Sequence, residues 1–209
     1  MQNKRMLDII TFSNLLIKEE LVEDGDCVSA RLPDGDILIT SLKAGEIDST
    51  NKYNVIHVKA TDSLDSFKYG ELHRSIYKTR SDINAIITNH AKFCVAVSST
   101  EKYIPAVLDD VAQIIGRKAY VASSVNATKI LKLLKKCSAC LIKNGGVIAT
   151  GRTVDEAHTG SLVLEKGAKA FVEATILGGA KKIPFLDAVL MRFVYKKKYS
   201  KIDQESKMQ

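Results

Sequence analysis

The sequence predicts a single domain of the α/β or α+β class. Segments with helical periodicity alternate along the chain with short apolar runs of strand character, and no repeat, low-complexity block or linker interrupts the alternation. The size agrees: 209 residues, 45% hydrophobic and 26% charged, can bury one sizeable core.

The elements follow in order. Residues 5–20 bring Leu7, Ile10, Leu15, Leu16 and Ile17 near one helical face. "CVSARLPDGDILIT" reads as a hairpin turning at Pro33-Asp34-Gly35-Asp36. In "NVIHVKA", Val55, His57 and Lys59 alternate with Ile56 and Val58, which puts His57 outward or at a sheet edge. "FKYGELHRSIYKTRSD" carries Leu72, Ile76 and Tyr77 at helical spacing and stops near Arg80-Ser81, before "NAIITN" runs as a buried strand. "AKFCVAVSST" then returns to helical spacing, so His90 falls at a strand-to-helix junction, where unpaired backbone groups commonly face a ligand crevice. The remainder reads as helix ("IPAVLDDVAQIIG"), strand ("KAYVA"), helix ("ATKILKLLKKC"), a hairpin turning at Asn144-Gly145-Gly146, and a long helix opened by Thr153. The domain is expected to span residues 1–185, with residues 186–209 as a C-terminal segment ending in a basic, flexible tail.

Composition narrows the function classes. No apolar run reaches the roughly 20 residues that span a bilayer, and the start reads as an amphipathic helix rather than an export signal, so a cytoplasmic protein is expected. Cys27, Cys94, Cys137 and Cys140 lie in apolar segments and read as reduced, packed thiols. The Cys137/Cys140 pair has neither a second C-x-x-C nor a His at ligand spacing, so no metal or redox role is assigned to it. The net charge of +7 owes much to the lysines of the tail. With no zinc finger, no stacking-aromatic pattern and no Trp, nucleic acid is not an expected partner.

Three runs point further. They are the spaced H-x-x-x-Y-x-x-R-x-D-x-x-A-I pattern through His73, Tyr77, Arg80, Asp82, Ala85 and Ile86; Asn89-His90-Ala91; and G-x-x-A-x-G-x-T-x-x-E-A from Gly146 to Ala157. Over about residues 5–180 the chain resembles the class II aldolase and adducin family. The resemblance implies a single-domain, three-layer α/β/α fold with a central mixed, largely antiparallel sheet. It also implies a zinc held by three imidazoles, which polarises a sugar carbonyl and stabilises an enediolate.

Against that pattern the chain departs. The family's His-x-His at the strand end corresponds to Thr88-Asn89-His90, and the third ligand position to Gly145 beside Asn144. The acid/base glutamate position corresponds to Tyr69, with Glu71 two residues on. The phosphate-gripping places correspond to Cys27, Leu42 with Lys43, and Phe67 with Lys68. Thr88, Asn89, His90, Asn144, Gly145 and Lys68 are therefore expected to line the cleft, with Tyr69, Glu71 and His73 the weak catalytic candidates and His90 a remnant metal ligand. The expectation is a non-catalytic relative without a cofactor, assembled as a homo-oligomer (a tetramer by resemblance) or bound to a protein partner. The alternative is a zinc-dependent sugar-phosphate aldolase or epimerase with a rearranged site.

Overall fold

The computed structural model describes residues 2–47 and 54–206. An eight-stranded sheet runs through it in the order β3-β2-β1-β4-β8-β7-β6-β5. The strands are β1 (Cys27–Arg31), β2 (Ile37–Ser41), β3 (Ile56–Val58), β4 (Ala85–Asn89), β5 (Tyr103–Pro105), β6 (Lys118–Ala122), β7 (Ala139–Ile142) and β8 (Val147–Gly151). Every neighbouring pair is antiparallel except β6 with β7, so the sheet is mixed and largely antiparallel.

Helices cover both faces. The helices α1 (Gln2–Lys18), α3 (Lys92–Thr100) and α5 (Val154–Ile176) pack together on one side, while α2 (Gly70–Thr79) and α4 (Ala127–Leu134) share the other. A last helix, α6 (Phe185–Ser206), packs against a π-helical turn, Val111–Ile115. The three-layer arrangement accounts for β4. Covered on both faces, all five of its residues are buried, and they read as a continuous run rather than an alternation. Asn89 points to the α5 side, where its amide donates to the Ser161 hydroxyl. Thr88 points the opposite way.

Two short structures fix what lies at the end of β4. The Gly145-Gly146 turn brings β8 so close that a Cβ on Gly146 would stand 2.1 Å from the Asn89 carbonyl oxygen. Asn144 in the same turn adopts φ 51°, a left-handed conformation that asparagine tolerates. At the other side, the His90 amide donates to the Leu21 carbonyl at 2.8 Å, which ties the junction to the loop entering β1.

One expected helix is absent. Residues 104–116 begin instead as the edge strand β5, whose Tyr103, Ile104 and Pro105 pair with Tyr120, Ala119 and Lys118. Only residues 109–115 coil, closing as a single π turn over Val111–Ile115 whose start is held by the Asp110 carboxylate. The segment beyond residue 185 has helical backbone through Ser206.

Candidate functional site

The site grows from the loop Glu23-Asp24-Gly25-Asp26 that leads into β1. Gly25 takes φ +88°, a conformation side chains rarely adopt, and the Lys68 stem packs where its Cβ would be. The bend turns Asp26 inward, fully buried. Its carboxylate accepts from the Glu23 amide at 2.9 Å and from His90 Nδ1 at 2.9 and 3.0 Å. Burial pushes the Asp26 carboxyl upward, and the bonds from His90 and the Glu23 amide, with the nearby Lys68 charge, oppose it. The outer nitrogen of His90, Nε2, stands 3.5 Å from an oxygen of the exposed Glu23.

Thr88 is occupied elsewhere. Its hydroxyl accepts from the Cys27 amide at 2.8 Å and donates to the Cys27 carbonyl at 3.3 Å, closing the ladder between β4 and β1 with a side chain. Cys27 itself is buried, and desolvation pushes its thiol up to about 11, which leaves it a packed thiol and not a nucleophile. Tyr69 is buried beneath Lys68, whose ammonium lies 5.2 Å from the ring centre. Burial, then the acidic neighbours Asp26, Cys27 and Glu23, push its phenol up to about 12, so it keeps its proton. Gly145 contributes backbone alone.

The other candidates lie in structural networks. Glu71 accepts from the Leu64 amide at 2.7 Å and from Arg74 at 2.6 and 2.9 Å, closing the loop that precedes α2. His73 is fully buried, its Nδ1 2.9 Å from the Ser29 hydroxyl, which also bonds Tyr77 at 2.8 Å. Asn89 keeps its amide on Ser161. Nor does the start of α3 open on a crevice. The Glu165 carboxylate of α5 caps it, accepting from the Phe93 and Cys94 amides at 2.9 Å each.

The arrangement thus gathers Lys68, Tyr69, Thr88 and His90 around β1 and β4 and adds Asp26 and Glu23, which sequence reasoning did not single out. An imidazole whose Nδ1 side is fixed by a carboxylate presents Nε2 outward, the orientation of a metal-facing histidine. Zinc nonetheless needs three or four donors, and among the described residues no three His, Cys, Asp or Glu side chains are placed to hold an ion. His90 and Glu23 are two. The residues present do not complete the three-imidazole set.

The sequence profile described as Class II Aldolase and Adducin N-terminal domain matches residues 8–172. The L-fuculose phosphate aldolase of Methanococcus maripaludis is 28% identical over 121 residues, 56% of this chain and 63% of that protein, so the match spans less than two thirds of the relative. The L-fuculose phosphate aldolase of Haemophilus influenzae is 26% identical over 178 residues, 80% of each chain. The solved L-fuculose-1-phosphate aldolase of Thermus thermophilus superposes with a TM-score of 0.74 at 19% identity, over 86% of this chain and 100% of that one, which shows a shared fold.

These matches correct one expectation, that the chain takes no cofactor. A profile and relatives described as aldolases stand against it, because the resemblance carries zinc with it. The pairing of Asp26 with His90 adds a physical reason, since it leaves Nε2 oriented as a ligand would be.

Proposed function

Because the chain belongs to the class II aldolase and adducin family, we propose that it is a non-catalytic, cytoplasmic member that keeps the family fold for self-assembly or for holding a protein partner. One observation carries this reading. Where the family resemblance implies two further imidazoles, Thr88 spends its hydroxyl on the backbone of Cys27 and Gly145 has no side chain. Tyr69, at the acid/base position, holds its proton to about 12 and cannot serve as a base near neutral pH.

The exposed face of α6 supports the assembly. Leu186, Val189, Leu190, Phe193 and Val194 stand in solvent along it, an apolar stripe of the kind that marks an interaction surface. The resemblance implies a ring-shaped tetramer.

A second reading rests on Asp26, His90 and Glu23: a metal-dependent sugar-phosphate aldolase or epimerase with its donors rearranged. Incubating the full chain with added zinc and L-fuculose 1-phosphate separates the two. No release of aldehyde above a protein-free control is expected. Turnover that disappears in His90→Ala would establish the second reading instead.

A further inference from the structure

A cavity of about 320 Å³ opens at the other end of the sheet from His90, where α6 crosses the start of β7 and the end of β8. The strand β4 separates the two places, Ala85 at one end and His90 beyond the other, roughly 16 Å apart at the rise of an extended chain. Its volume lies at the lower end of ligand pockets. The wall is strongly cationic: Arg80, Lys135, Lys136, Arg152, Arg192 and Lys196 face two carboxylates, Asp82 and Glu156.

Those carboxylates are already used. Asp82 takes the Arg80 guanidinium through both oxygens, at 2.6 and 2.7 Å, and Glu156 takes Arg152. Among the described residues, Arg192 gives its guanidinium to neutral acceptors only: the carbonyls of Gln113, at 2.7 Å, and Ile114, and the Ser138 hydroxyl. Lys196 follows one helical turn later on the same face of α6. Among the described residues, neither has a carboxylate in ion-pair contact. Lys196 stands exposed at the mouth with its stem partly covered; that covering and the charges of Arg192 and Arg80 push its ammonium below its usual range, with Asp82 opposing. Burial also lowers Arg192. Closing the π turn explains Arg192, but it leaves the hollow beside it walled by more cations than carboxylates.

We propose that this cavity binds a small molecule bearing a phosphate group, at a site separate from the cleft around His90. A doubly charged oxoanion supplies the negative charge that the wall lacks, met by the Lys196 ammonium at the mouth with the Arg192 charge behind it.

Calorimetric titration of the full chain with inorganic phosphate, at ionic strength held constant with chloride, tests it. One saturable site per chain is expected. Lys196→Gln, at the mouth, weakens binding at least about tenfold, the loss of one charge-assisted contact, with an unchanged melting temperature. His90→Ala binds phosphate as the unaltered chain does. Absence of saturable binding, equal affinity in Lys196→Gln, or loss in His90→Ala overturns the proposal.

Discussion

His73 shows how far burial decides the role of a single residue. With Nε2 buried and unpartnered among the described residues and Nδ1 on Ser29, the ring stays neutral, and desolvation pushes its pKa down to about 3 from an ordinary 6.5. Between those values the unfolded chain binds a proton that the folded chain refuses. The stability that neutral His73 permits is complete above about pH 6.5 and drains as pH falls toward 3, by up to about 1.4 kcal/mol per unit. Urea unfolding at about pH 7 and about pH 5 should show a larger drop for the unaltered chain than for His73→Gln, which carries no titrating ring. Equal drops would remove His73 from the account. At this scale the cleft was half legible. His90, Thr88, Tyr69 and Lys68 stand out in the sequence, but Asp26 does not, because its partner is 64 positions away and only the pairing of β1 beside β4 joins them. An aspartate directly before the Cys27 position was the available signal.

Among the elements, the turn from β7 to β8 makes the sharpest demand. A methyl on Gly146 would drive into the Asn89 carbonyl, whereas one on Gly145 would meet the Ile142 side chain at 3.3 Å, a contact relieved by a shift of a few tenths of an ångström. Gly146→Ala should therefore cost about 2 kcal/mol or more, as strain in the backbone at the end of β4, and Gly145→Ala less than about 1 kcal/mol. Thermal melts of the two variants decide it, and equal losses would contradict the packing described. Most elements were readable because period and punctuation agree, as at Thr153, whose hydroxyl caps α5 at 3.1 Å. Residues 104–116 were not. Their apolar spacing suits a helix, but Ile104 is drawn into an edge pairing with Ala119, and Pro105 has no amide to continue a helical ladder. A contact made across the fold overrode the local pattern.

Across the whole molecule, the runs that carry the family resemblance are those that build the fold. His73 and Tyr77 share Ser29, Arg80 grips Asp82, and Gly151 admits Glu156 and Ala157 at distances no Cβ would allow. The fold was therefore legible from residues whose contacts hold it together. Assembly belongs to this scale as well. Leu190 is 62% exposed within the α6 stripe, so Leu190→Glu should leave the protomer folded while lowering its mass by light scattering at micromolar concentration. An unaltered chain that already runs as a monomer would dispose of the stripe as a contact. Among the described residues no helix is long and apolar enough to cross a membrane.

The open sheet ends in two borders, β3 and β5, each three residues long. On one, the His57 ring pairs with Asp36 at 2.8 Å; on the other, Pro105 offers no donor and the ammonium of Lys118 lies over Tyr103, with that of Lys182 nearby. Among the described residues neither border presents a stretch of bare backbone long enough to recruit a stranger's strand, which steers contacts between copies to side-chain surfaces instead of growing fibres.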